Sequence, residues 1–253
     1  IDALREDLDK VSARDLSHAI LQDPLMSVRT LAYIQPIRGR HLQHDITTIA
    51  SAIMMSGIEP FFNRFVELPT VENMLKDEPA QAKLGVMQVI RRAQRAAEYA
   101  NEWAFWRHDI NAEEVRLAAL LHDLSEILVW CFAPKLALQI RELRVQSPTM
   151  RSAAAQQQVL GFTLLELQQA LCRVWHLPEL LKQLMDDEHA DSPRAKNVTL
   201  AVRLARHSAN GWDDPALPDD YTDIGQLLNL SPDVVMHKVG APVPNAASAE
   251  DQA

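Results

Sequence analysis

Glycine is scarce in this chain: seven in 253 residues, beside 14 prolines and only two cysteines. With so few glycines, and no convincing run of alternating β-branched residues between hairpin turns, the sequence argues against strands. Cys131 and Cys172 are too few for a disulfide framework and sit in apolar helical contexts, so they read as reduced core residues, a pattern that suits the cytoplasm. No apolar stretch approaches 18 residues without a charge, and IDALREDLDK at the start lacks a basic segment followed by an apolar one. Neither a membrane span nor a secretion signal is therefore expected. Basic excess is also missing, with 25 Lys and Arg against 34 Asp and Glu and a formal charge of −9. That balance argues against a nucleic-acid partner. Finally, GxGxxG, GxxxxGK[ST], HExxH, GxSxG and CxxC are all absent, which removes the common nucleotide, metalloprotease and hydrolase readings.

What is abundant is Ala, Leu, Glu, Gln and Arg, the composition of helices. An all-α chain is expected, with prolines such as Pro24, Pro60, Pro134, Pro178 and Pro193 ending one helix or opening the next. Periodicity predicts helices over 2–21, 26–34, 46–55, 58–67, 70–76, 80–106, 111–132, 134–146, 149–159, 163–174, 178–185, 194–210, 223–228 and 231–238. Composition divides the chain into short helices over 1–75, a helical core over 76–210, a loop with short helices over 211–238, and a tail of disordered composition over 239–253.

Two helices stand out. In 80–106, Val86, Val89, Ile90, Ala93, Ala97, Ala100 and Ala104 form one stripe with Arg91, Arg95, Glu98 and Glu102 opposite, which predicts an outer helix with one buried side. By contrast 111–132, NAEEVRLAALLHDLSEILVWCF, is apolar nearly all round after its first turn, as for a helix enclosed by others. Asn111 is its expected N-cap, and Glu113 and Glu114 suit its dipole.

Inside that oily helix lie His122 and Asp123. A buried imidazole and carboxylate must be hydrogen-bonded, ion-paired or metal-bound to offset desolvation, so a neighbouring helix has to face them. The remaining charged and aromatic features carry plainer readings. Glu113-Glu114, Asp186-Asp187 and Asp213-Asp214 read as solvated termini or loops, and His41 and His44 in RGRHLQHD as an exposed loop. Arg91, Arg92 and Arg95 read as a solvated face with Arg95 paired to Glu98, His176 as a helix-end residue, and the five tryptophans as packing.

The stretch LGVMQVIRRAQRAAEYANEWAFWRHDINAEEVRLAALLHDLSEIL resembles HDOD domains, the non-catalytic relatives of HD-domain phosphohydrolases. So do LSHAILQDPLMSVRTLAYI with Asp23-Pro24, TTIASAIMMSGIEPFFNRF with Ala52, Ile53 and Gly57, then RVWHLPELLKQLMDDEHADSP and RLARHSANGW. The resemblance spans about residues 10–210. It implies a compact multi-helix bundle of HD-like type with an N-terminal short-helix region. It also implies a bacterial, non-enzymatic signalling or scaffold module working through protein partners, regulatory domains or self-association.

In the enzymes a lone His, the His-Asp pair and a later Asp hold a divalent metal. Here the first window reads QVIRRAQRA, with Arg91 or Arg92 at the expected place; the later Asp is replaced by Arg206, and His189 follows Glu188 where relatives keep a His pair. A guanidinium cannot ligate a metal. At 100° per residue Arg92 lies nearer the buried stripe than Arg91 or Arg95, so Arg92 or Arg206 is expected to pair with Asp123 in a degenerate site of His122, Asp123, Arg92, Arg206 and His189, with no metal or other cofactor. The alternative is a metal-dependent phosphohydrolase acting on a nucleotide or cyclic nucleotide, its ligands completed by His108, His189 or His207.

Overall fold

The computed structural model describes residues 11–37, 45–147 and 149–242. Among them there are only helices: α1 Ala13–Ile20, α2 Pro24–Ile37, α3 Ile49–Ser56, α4 Ile58–Arg64, α5 Val71–Met74, α6 Ala80–Trp106, α7 Ala112–Leu121, α8 Leu124–Phe132, α9 Pro134–Gln146, α10 Ser152–Leu160, α11 Leu164–Val174, α12 Glu179–Leu184, α13 Pro193–His207, α14 Leu217–Leu228 and α15 Pro232–Lys238. No single helix among these residues is long and apolar enough to cross a membrane. Expectations about His41, His44, the first ten residues and the tail from 243 lie outside the described residues.

The 27-residue α6 is the axis of the body, not the outer helix its main stripe suggested. Ala82, Val86, Val89, Ala93 and Ala97 pack with Leu120, Ile127 and Trp130 of α7 and α8. On a second face Ala96, Tyr99, Ala100, Trp103 and Ala104 join a separate, larger core with Val198, Ala201 and Ala205 of α13. The stripe read from the sequence ran the two faces together: its Ala100 and Ala104 belong to the second face, beside Ala96, Tyr99 and Trp103, which it left out. Only a strip with Arg91, Glu98, Glu102 and Phe105 stays exposed. Arg95 turns onto the rings of Tyr99 and Trp212 and donates to the Tyr99 hydroxyl, in place of the ion pair expected with Glu98.

The segment leading into α3 is tied to α7 by the acids expected to be solvated. The Glu113 carboxylate accepts from the backbone N–H groups of Ile49 and Ala50 at 2.7 and 3.1 Å, capping α3 from another element. Glu114 is buried and accepts from Arg194 at 2.7 Å and from the Thr47 hydroxyl. Asn111 makes no side-chain cap; its own N–H donates to Asp109. At the other end α14 begins at Leu217, earlier than the loop composition of 212–220 suggested, with Pro218 in its first turn. It is clamped through the fully buried Asp220, which accepts from Arg203 at 2.7 Å and lies 2.5 Å from His207 Nδ1.

Scarcity of glycine leaves its mark where helices stop. A helix commonly ends with glycine in the left-handed region just past the last turn. Here His108 (φ 56°) follows α6 and His176 (φ 51°) follows α11 in that conformation. Both carry the paired closing bonds of that ending, His108 N–H to Phe105 with Asp109 N–H to Ala104, and His176 N–H to Arg173 with Leu177 N–H to Cys172.

Two helical glycines stand where a side chain would clash: Gly225 of α14, whose Cβ would meet the Leu230 carbonyl oxygen at 2.6 Å, and Gly85 of α6. A Cβ on Gly85 would stand 2.5 Å from the ring of Trp130. Alanine is the better helix former by about 1 kcal/mol, but overpacking a full core costs about 1–3 kcal/mol. Gly85→Ala is therefore expected to lower stability by a net of up to about 2 kcal/mol in urea unfolding, and a higher midpoint would contradict this packing.

Candidate functional site

The expected helix 111–132 is two helices, α7 and α8, parted at His122 and Asp123. Asp123 leaves the helical region at φ −96°, ψ 23°. Nothing local requires this, since 112–132 holds no proline or glycine. The cause is a side chain from α11. Gln168 is buried, and its amide oxygen accepts from Ser125 N–H at 2.9 Å while its nitrogen donates to the Leu121 carbonyl at 2.8 Å. A side chain inserted into the backbone ladder is a recognised source of a sharp helix bend.

The break aims Asp123 at α6 and α13. Arg92 donates to its Oδ2 from Nε at 2.9 Å and from Nη2 at 2.6 Å, and the same Nη2 reaches Glu126 Oε2 at 2.6 Å. Arg206 Nη2 donates to Oδ1 at 3.2 Å. His122 bridges two carboxylates, Nδ1 lying 3.1 Å from Asp123 Oδ1 and Nε2 3.1 Å from Asp187 Oδ1, and Thr199 also donates to Asp187 at 2.8 Å. With His122 protonated, three cations face three carboxylates, so a group 8% exposed at its centre is charged without being left unpaired.

The electrostatics follow from these contacts. Burial of Asp123 favours its neutral form, but the Arg92 charge, the His122 bond and Arg206 together hold its carboxyl well below the usual carboxylate range. Burial likewise works against a charged His122, yet hydrogen bonds to Asp123 and Asp187 outweigh it and raise the imidazole to about 9. Asp187 is lowered by His122 and Thr199 despite its own partial burial.

Of the residues singled out in the sequence, His122, Asp123, Arg92 and Arg206 lie together here and His189 does not. His189 is exposed and pairs with Asp186 at 2.9 Å. His108 is exposed at the end of α6, and His207 is spent on Asp220. Glu126, Asp187, Thr199 and Gln168 were missed. Glu126 stands one turn beyond His122-Asp123 and that spacing could have found it; Asp187 was set aside as half of a solvated pair, and nothing local marks Gln168.

A divalent ion does not fit this set of donors. Both Asp123 oxygens and both His122 nitrogens are already engaged, the Arg92 guanidinium already supplies a positive charge to Asp123, and among the described residues no three His, Cys, Asp or Glu side chains are grouped to hold a metal.

Comparison with known proteins agrees with this architecture. The HDOD domain family matches residues 2–191. No functionally curated protein matches the chain in sequence. Among solved structures, the response regulator MmoQ of Methylococcus capsulatus is 18% identical with a TM-score of 0.65, covering 92% of this chain and 90% of that one. A virulence factor of Campylobacter jejuni is 17% identical at 0.66, with 93% and 89% covered, and an HDOD domain protein of unknown function from Geobacter sulfurreducens is 18% identical at 0.50, with 91% and 83% covered. At such identities the likeness concerns the fold.

Two outcomes follow from the ion network. Asp123→Ala leaves Arg206 and His122 without their shared partner, and should cost about 3 kcal/mol, as for a broken buried pair; a loss under ~1 kcal/mol in chemical unfolding would mean the network contributes little. The pH dependence has a defined sign. The folded His122 value of about 9 lies above the ordinary 6.5, so its contribution is complete below pH 6.5 and is lost as pH rises through 9. The lowered Asp123 and Asp187 contribute above the ordinary 3.8 and lose their effect as pH falls through their folded values. Thermal unfolding should therefore be highest between about pH 4 and 6.5 and decline toward pH 9. His122→Gln should flatten the alkaline side, and an identical decline in that variant would contradict the assignment.

Proposed function

The chain belongs to the HDOD family, and from that membership we propose that it is a non-enzymatic signal-transduction or scaffold module, a bacterial cytoplasmic body that acts by docking protein partners, regulatory domains or itself. One observation carries this reading: Arg92 Nη2 bridges Asp123 and Glu126 at 2.6 Å to each, so a guanidinium charge answers the carboxylate that the resemblance to HD phosphohydrolases would give to an ion. A hydrolytic ion must polarise a phosphoryl oxygen or activate a water, and a guanidinium with its donors committed to carboxylates offers no open position for either. What the arrangement does supply is a rigid polar junction between α6, α7, α8 and α13. A module of this kind transmits a state by changing how such elements pack, which requires differential contacts between two arrangements and no chemistry.

The alternative, a metal-dependent phosphohydrolase, would need further ligands, and His108, His189 and His207 point to other partners or to solvent. The test is direct. Purified protein is expected to carry well under one divalent ion per chain after dialysis with chelator, and to show no phosphodiesterase turnover with added manganese that Asp123→Ala abolishes. Stoichiometric, chelator-resistant metal, or turnover lost in that variant, would overturn the proposal.

A further inference from the structure

Gln168 occupies a particular bond. In a continuous α-helix the N–H of residue 125 donates to the carbonyl of residue 121, four positions back. Ser125 and Leu121 are that pair, and the Gln168 amide stands between them, accepting from the first at 2.9 Å and donating to the second at 2.8 Å. It is buried, and its nitrogen also lies 3.8 Å from Met185 Sδ. The amide thus reproduces both halves of a backbone hydrogen bond while holding its two ends apart.

This geometry differs from an ordinary buried hydrogen bond in what its loss would leave behind. Removing one partner normally strands the other, at the full cost of desolvation. Here the two groups released are each other's natural partners, and the intervening residues, Leu-His-Asp-Leu, contain nothing that forbids a helix. Closing the bond would turn Asp123 from ψ 23° toward the helical value of about −42°. With α8 held against α6 by the close contact of Gly85 with Trp130, that rotation turns α7 and the Asp123 carboxylate together relative to Arg92 on α6 and Arg206 on α13.

We infer that the α7–α8 junction is a two-position splice held open by Gln168, so that withdrawal of α11 straightens the helix and releases Asp123 from its two arginines. The inference rests on the signalling reading above and names its moving part. α11 is a discrete unit: it is bounded by Gly161 in the left-handed region (φ 80°), begins with a self-contained capping box of Thr163 and Glu166, and packs on α8 through its inner side, with Cys172 reaching the main core, while Leu165 is exposed outside. In one direction α11 reports to the ion network; in the other, anything that disturbs the network changes what α11 presents.

The experiment is NMR on the full chain carrying Gln168→Leu, a substitution of similar size that can neither accept from Ser125 nor donate to Leu121. The variant is expected to keep its helical circular dichroism, to shift the Asp123 and Ser125 amide resonances, and to show a His122 titration midpoint lower than the parent's by about one pH unit or more as its carboxylate partner departs. Unchanged Asp123 shifts and an unchanged His122 titration in the folded variant would overturn the splice. Should Gln168→Leu fail to fold, relaxation dispersion on the parent decides: exchange shared by Asp123, Ser125 and the α11 amides supports two positions, and flat profiles there refute them. A refuted splice in protein that binds no metal leaves the signalling reading standing, whereas bound metal removes that reading whatever the splice does.

Discussion

A carboxylate at the centre of a helical bundle must have its charge answered, and the rest of this architecture follows from how Asp123 is answered. Arg92 and Arg206 come from two different helices, and His122 from the adjacent position, so the four elements that meet at Asp123 cannot separate without stranding a charge. Such a cluster adds little net stability compared with an apolar packing of the same volume, because desolvation consumes most of the Coulombic gain. Its effect is on which packing is allowed. Apolar faces tolerate continuous sliding; a fork of N–H groups on two carboxylates allows only discrete arrangements.

The parts of the molecule legible in the sequence are those where the cause is local. Pro79 and Pro134 open α6 and α9, and the expected ranges 80–106 and 134–146 coincide with the helices. Arg92 could be picked from its neighbours because a 100° step separates inward from outward positions on one helix. The placement of α6 was not legible, since its second buried face is made of alanines and of Tyr99 and Trp103, whose partners lie on α13 about a hundred positions later. The break in 111–132 was invisible for the same reason: its cause, Gln168, is 47 residues from Leu121 and looks like any polar residue on an amphipathic helix.

The site shows a similar division. Acids that stand in pairs in the sequence, Glu113-Glu114 and Asp186-Asp187, suggested solvated ends, yet three of the four are taken by specific partners elsewhere in the fold: backbone N–H groups of α3, Arg194, and His122. Their neighbours in sequence gave no sign of this, because a carboxylate's fate is decided by whichever donor the tertiary structure delivers. His189 illustrates the converse. Its sequence position suggested membership of the site, but Asp186 three residues earlier offers a nearer partner, and the ring stays outside.

The contact between Gly85 and Trp130 has a consequence beyond close packing. Arg92 lies seven residues after Gly85 on α6, and Asp123 seven residues before Trp130, so the two contacts belong to one antiparallel alignment, two turns or about 10 Å apart. Sliding α8 along α6 would drive the indole toward Ala82 or Val89, the buried residues about one turn to either side of Gly85 on that face. The indole therefore works as a detent: whatever hinge operates at Asp123, the far end of α8 stays indexed to α6, and the motion available to it is a swing about that pivot and not a slide.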